Sequence, residues 1–72
     1  MSERKTSTPH ISPATVERKA EAVFESRQIA QKWLDRSITA LGGEVPRTLL
    51  KNPEGCRRVY QLLTKIEFGD FS

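Results

Sequence analysis

The chain has 72 residues, 36% of them hydrophobic, which is enough for one small domain whose core alone stabilises it only marginally. Its single cysteine, Cys56, excludes an intramolecular disulfide, and one cysteine with one histidine falls short of the ligand set of a structural zinc site. Twelve Lys and Arg residues against nine Asp and Glu residues give a net charge of +3, which without a clustered patch does not indicate a nucleic-acid-binding protein.

Residues 1–12 are rich in Ser, Thr and Pro, with Ile11 as the sole apolar residue after Met1. Such a segment buries too little apolar surface to offset the entropy lost on ordering. We therefore predict a disordered polar tail over residues 1–12 and one helical domain over residues 13–72. The tail lacks the apolar stretch of a secretory signal, and no apolar run in the chain is long enough to cross a bilayer, so we predict a cytoplasmic protein.

Two helices are predicted in the first half of the chain. The first runs from Pro13 to Phe24, because Ser12 provides a capping hydroxyl and proline is favoured at the first helical position. The second begins after the capping residue Ser26 and is predicted to end near Arg36. Apolar residues recur at helical spacing in both segments, at Val16, Ala20, Val23 and Phe24 and then at Ile29, Ala30, Trp33 and Leu34.

Two glycines, Gly42 and Gly43, then break the pattern, since they allow backbone conformations that residues with a Cβ atom resist. Pro46 predicts a short helix that carries Leu49 and Leu50.

The last helix is predicted to begin at Pro53, after the capping residue Asn52, and to end at Gly69. Its apolar side consists of Cys56, Val59, Leu62, Leu63 and Ile66, and its polar side of Arg57, Arg58, Gln61, Thr64 and Lys65.

The chain is therefore predicted to form an all-α bundle of three main helices and one short helix, because no segment shows the alternation of a strand. The predicted structural core comprises Val23, Phe24, Ile29, Trp33, Leu34, Leu41, Gly42, Gly43, Leu49, Leu50, Val59, Leu62, Leu63 and Ile66. Trp33 fits either this core or a partner interface, and Phe68 and Phe71 either cap the core or mark an exposed docking patch.

Enzymatic chemistry is not expected. His10 is the only histidine and lies in the predicted tail, where no pocket would orient it, and Cys56 lies on the apolar side of the last helix as a small buried thiol. We therefore predict no catalytic residue, no cofactor and no metal site.

A basic nucleic-acid-binding regulator is the alternative function. Between Arg47 and Lys65 five cations stand against the single carboxylate of Glu54, namely Arg47, Lys51, Arg57, Arg58 and Lys65. The same pattern is typical of an ordinary solvated helix face. A helix-turn-helix is not predicted, because the segment that would form its recognition helix, Ser37 to Leu41, is too short to span a groove.

The order of several motifs adds a resemblance to a known family. The motifs are Ala22-Val23-Phe24-Glu25-Ser26, Ala30 through Trp33-Leu34, Ala40-Leu41-Gly42-Gly43 with Pro46, Leu49 and Leu50, and then Gly55, Val59, Leu62-Leu63, Ile66-Glu67 and Gly69. From Glu21 to Phe71 this pattern resembles the toxin-binding domain of Xre/MbcA/ParS-type antitoxins.

The resemblance implies a small helical domain that binds and neutralises a toxin, usually an NAD-consuming RES-domain toxin of the MbcT type. It also implies that the C-terminal segment docks at the active-site cleft of the toxin. The residues that would bind the toxin are Arg57, Arg58, Gln61, Lys65, Phe68, Gly69, Asp70, Phe71 and Ser72.

Longer members of the family carry an N-terminal DNA-binding helix-turn-helix, and the residues before Glu21 are too few for that domain. DNA binding by this chain is therefore not expected, whereas pairing with a second copy of the chain stays open. A helical adaptor for a partner other than a toxin is a third reading.

Overall fold

The computed structural model describes residues 11–69, and in this range the chain forms four α-helices and no strand. Helix α1 spans Pro13–Phe24, α2 spans Arg27–Leu34, α3 spans Pro46–Leu49 and α4 spans Pro53–Phe68, with a 3-10 turn at Thr39–Leu41 between α2 and α3. The predicted all-α fold of three main helices and one short helix is confirmed.

The helix starts follow the predicted capping residues. The Thr15 N–H donates to Ser12 Oγ at 3.2 Å at the start of α1, and the Ile29 N–H donates to Ser26 Oγ at 3.1 Å at the start of α2. The side chain of Asn52 caps α4 in the same way. Helix α2 ends at Leu34 with Asp35 as its C-cap, which is within two residues of Arg36, near which the end was predicted.

A tight turn joins the 3-10 turn to α3, and it depends on two glycines. The Ile38 N–H donates to the Glu44 carbonyl, and the Gly43 N–H donates back to the Ile38 carbonyl, both at 3.0 Å. Gly42 and Gly43 have φ angles of 71° and 83°, while a Cβ atom at either position would meet nothing within 4 Å. The glycines are therefore required by backbone conformation and not by lack of space.

The core lies where α1 packs against both α2 and α4, and α4 also contacts α3 and the 3-10 turn. Its buried hydrophobic residues are Val16, Ala20, Ala30, Leu34, Leu41, Leu50, Cys56, Val59 and Leu63. No helix within residues 11–69 is long and apolar enough to span a membrane.

The predicted core residues divide into three groups. Leu34, Leu41, Leu50, Val59 and Leu63 are buried, and Val23, Phe24, Trp33, Leu49, Leu62 and Ile66 are partly buried against them. Ile29 is 53% exposed, so its assignment to the core was wrong: Ala30 and Leu34 face inward, and Ile29 lies about 100° around the helix from Ala30. Gly42 and Gly43 are also exposed, because they belong to a surface turn.

Helix α4 approaches α3 closely at Gly55. A Cβ atom there would lie 1.9 Å from the carbonyl oxygen of Leu49 and 2.7 Å from its carbonyl carbon, both of which belong to the backbone and cannot rotate away. Beside this contact, the Cys56 Sγ donates to the Leu50 carbonyl at 3.4 Å. A residue without a Cβ atom is therefore needed at position 55 for α3 and α4 to pack in this way.

We predict that Gly55→Ala lowers the free energy of unfolding by at least about 2 kcal/mol, because overpacking against backbone outweighs the gain of about 1 kcal/mol in helix propensity. Urea unfolding followed by circular dichroism measures this change. Gln61→Ala, on the exposed side of the same helix, is the matched control and should change stability by less than about 0.5 kcal/mol. Equal stability of the two variants would contradict the packing at Gly55.

Burial raises the pKa of the Cys56 thiol above its ordinary value of 9.0. The folded protein therefore holds the thiol proton more tightly than the unfolded chain, and the free energy of unfolding should fall as pH rises above about 9. We predict that Cys56 reacts with a thiol reagent at pH 8 only after denaturant is added. Rapid labelling of the folded chain would contradict its burial.

Candidate functional site

The outward face of α4 carries five of the residues that the resemblance implies as a binding surface. Arg57, Arg58, Gln61, Lys65 and Phe68 are all exposed, and ideal helix geometry places them within an arc of about 100°. We call these five residues the α4 outward face. Phe68 is 75% exposed, so it does not cap the core.

The extent of this face follows from the ends of α4. Asn52 Oδ1 accepts a hydrogen bond from the Gly55 N–H at 2.7 Å, which satisfies a donor in the first turn. At the other end Gly69 adopts a left-handed conformation with φ 67°, and its N–H donates to the Ile66 carbonyl at 3.2 Å. Phe68 is therefore the last helical residue. Three further residues of the predicted binding segment, Asp70, Phe71 and Ser72, lie outside the described residues, as does His10.

An ion pair joins one edge of α4 to α1. Lys19 Nζ lies 2.5 Å from a carboxylate oxygen of Glu67 and 5.4 Å from the centroid of the Tyr60 ring. The hydrogen bond to Glu67 raises the pKa of Lys19 above its ordinary value. The Glu67 carboxylate is thus neutralised by α1, and its charge does not offset the cations of the α4 outward face.

Arg47 does not belong to a free basic surface, which corrects the predicted set of five cations. Its Nε donates to the Asp35 carboxylate, its Nη2 donates to Gln31 Oε1 at 2.6 Å, and its Nη1 lies 3.6 Å from the Glu17 carboxylate. The hydrogen bond to Asp35 raises the pKa of Arg47 further above its usual range. Arg47 thus joins α3 to the end of α2 and to α1, since these partners come from three parts of the chain.

Sequence reasoning missed the Arg47 network. Its partners lie 12 to 30 residues away along the chain, so no local spacing pattern relates them. The one available signal was the presence of carboxylates on α1 and directly after α2, which provides partners for a basic residue but does not say for which one.

The other cations of the predicted set are placed differently. Lys51 lies in the turn before α4 beside a shallow groove that Ile11 also lines. Arg57, Arg58 and Lys65 form no ion pair with any carboxylate of residues 11–69.

The aromatic residues of α1 and α2 form a second feature. The rings of Phe24 and Trp33 lie 5.6 Å apart at an interplanar angle of 46°, and both are partly buried against the core. Trp33 therefore contributes to the core while keeping part of its surface accessible. Within residues 11–69, no group of His, Cys, Asp and Glu side chains is arranged to hold a metal ion.

Comparison with known proteins identifies one family. A model described as the antitoxin Xre/MbcA/ParS C-terminal toxin-binding domain matches residues 19–69, which is more than two thirds of the chain. The match includes α2, α3 and the whole of α4 with its outward face. No match to a curated protein or to a solved structure was found.

The Arg47 network generates a prediction about stability. Arg47→Met should lower the free energy of unfolding by about 1 kcal/mol, because it removes charge-assisted hydrogen bonds that join three segments. A double-mutant cycle with Asp35→Asn should show a coupling of about 0.5 kcal/mol that weakens as salt is added. Arg36→Met, at an exposed cation outside this network, serves as the control. A cycle with no coupling would show that the network does not contribute to folding.

Proposed function

The chain belongs to the Xre/MbcA/ParS antitoxin family, whose C-terminal domain binds a toxin, and on this premise we propose that it neutralises an NAD-consuming toxin of the RES type. The observation that supports this proposal most directly is the α4 outward face, which lies within the matched residues and ends in an exposed phenylalanine. An aromatic side chain in this position is available as an anchor, because aromatic residues are enriched among those that contribute most to binding at protein interfaces.

We further propose that the toxin is inhibited by occlusion. Helix α4 spans 16 residues and is about 24 Å long, so it presents a rigid surface to the partner. The residues that follow it, from Gly69 to Ser72, would extend from the end of this helix into the active-site cleft of the toxin. Inhibition of this kind requires shape and affinity but no catalytic group and no cofactor on the antitoxin.

Stability and inhibition are coupled in this proposal. A ligand that binds the folded chain alone stabilises it by about 2.7 kcal/mol when its free concentration is 100 times Kd. This is a large fraction of the stability that a domain of this size has. The free antitoxin is therefore expected to unfold at a lower temperature than the complex.

Co-expression with the product of the open reading frame next to the gene for this chain, as the candidate toxin, tests the proposal. The toxin alone should arrest growth and lower cellular NAD, and co-expression should restore both while the two proteins co-purify. If growth is not restored and no complex forms, the proposed function is wrong. If growth is restored but NAD never falls with the toxin alone, the antitoxin role holds and the RES-type assignment is wrong.

Removing residues 68–72 should abolish inhibition, because it deletes the exposed Phe68 together with the segment proposed to enter the cleft. Helicity measured by circular dichroism should change little, since α4 loses only its last residue and its cap. Deletion of residues 1–5, which lie outside the family match, is the matched control and should leave inhibition intact. Full inhibition by the 68–72 deletion would exclude this segment from the mechanism.

A further inference from the structure

The cations of the domain fall into two classes. Lys19 is paired with Glu67, Arg27 lies 3.8 Å from Glu21, and Arg47 is held by carboxylates of other segments. Arg57, Arg58 and Lys65 instead point away from the bundle, and no carboxylate of residues 11–69 lies within ion-pair distance of them. Acidic residues of the bundle thus neutralise Lys19, Arg27 and Arg47. Four exposed cations elsewhere in residues 11–69 also have no ion pair within that range, namely Arg18, Lys32, Arg36 and Lys51. The three on α4 differ from these in sharing one helix face.

The charged residues of α4 itself are also unevenly distributed around the helix. Glu54 shares the arc of the outward face but lies in the first turn, where the positive end of the helix dipole also attracts it. Glu67 lies on the side that faces α1 and is paired with Lys19. From the second turn to the end of α4, the outward face therefore carries cations and no carboxylate.

Phe68 lies inside this charged arc and not beside it. Helix geometry places its side-chain direction between those of Arg57 and Gln61, at the last turn of α4. Exposed by 75%, it is the most exposed large hydrophobic residue described. The face therefore combines one apolar anchor with positive charges arranged along the helix behind it.

We infer that the partner presents an apolar pocket with an acidic border to this face. Phe68 enters the pocket, and Arg57, Arg58 and Lys65 meet carboxylates along its border. This inference rests on the proposed function, because it specifies the chemistry of the toxin surface that α4 contacts.

A protein surface fits these observations better than a nucleic acid does. The phosphate backbone of a duplex would be contacted by the cations alone and would leave Phe68 in water, whereas an apolar cavity on a protein would bury it. The withdrawal of Arg47 into the bundle also shortens the basic surface that a duplex would contact.

The two kinds of residue should act on different rate constants. Long-range attraction between opposite charges speeds encounter and is screened by salt, so the cations should act mainly on the association rate. Burial of Phe68 occurs only after docking, so it should act mainly on the dissociation rate.

The test measures binding kinetics of the full 72-residue chain with the purified toxin at several salt concentrations. The first variant reverses the three cations of the face together, as Arg57→Glu, Arg58→Glu and Lys65→Glu. It should lower the association rate at low salt by at least about tenfold and remove most of its salt dependence.

A matched variant reverses three exposed cations on α1, on α2 and just after α2, as Arg18→Glu, Lys32→Glu and Arg36→Glu. Both variants have the same net charge. A difference between their association rates therefore reports the effect of where the reversed charges lie. The association rate of the matched variant should stay within about threefold of the original chain. Circular dichroism of both variants establishes that the fold is kept.

The apolar anchor is tested separately. Phe68→Ala should raise the dissociation rate by about tenfold or more while the salt dependence of association stays unchanged. Ile29→Ala, at the exposed apolar residue of α2, is the control and should leave both rates unchanged.

The outcomes separate this inference from the proposed function. If the toxin is bound and inhibited but the two charge-reversed variants associate equally fast, the acidic border is wrong and the antitoxin role stands. If no complex forms with the unchanged chain, both are overturned. If the face binds duplex DNA at sub-micromolar Kd with a steep salt dependence, and its reversal leaves toxin binding unchanged, the face serves nucleic acid and the inference is likewise overturned.

Discussion

The close contact between Gly55 and the Leu49 carbonyl determines where α4 can lie. With no Cβ atom in the way, the first turn of α4 rests directly on the last turn of α3, and Cys56 reaches the adjacent Leu50 carbonyl. From this start α4 runs along α1 and buries Val59 and Leu63. The outward direction of the opposite side is a consequence of that packing, because a helix that turns its apolar side inward must turn its polar side to water.

The charged residues of the bundle fall into two groups: some form ion pairs between segments, and others stay exposed on the surface. Carboxylates on α1 and in the α2 region hold Arg47, and Glu67 on α4 is held by Lys19 of α1. These partly exposed pairs each contribute little to stability, but together they connect segments that are distant in the chain. They involve none of the cations on the polar side of α4, so Arg57, Arg58 and Lys65 keep their charge exposed along one helix face.

A domain of 72 residues has a small free energy of unfolding. A function that requires only binding is compatible with this low stability. Its small core depends on compact side chains, with Ala20, Ala30 and Cys56 packed between larger aliphatic residues. An exposed aromatic such as Phe68 adds nothing to that core in the free protein, whereas it contributes fully once a partner covers it. Burial of such a side chain by a partner would therefore strengthen binding and stabilise the folded domain at the same time.

The sequence by itself determined the elements whose signals are local. Capping residues with a following proline predicted the starts of α1 and α4, Gly69 predicted the end of α4, and the Gly42-Gly43 pair predicted the break before α3. Ordered motifs along the chain predicted the antitoxin family, and the apolar spacing of α4 predicted which of its residues face outward.

Only the tertiary structure decided which polar and apolar residues meet across the bundle. It placed Arg47 in an ion-pair network between three segments, turned Ile29 to solvent and required the absence of a side chain at Gly55. The physical reason is the same in each case: these outcomes depend on which other segment each residue packs against, and periodicity within one helix does not specify that neighbour.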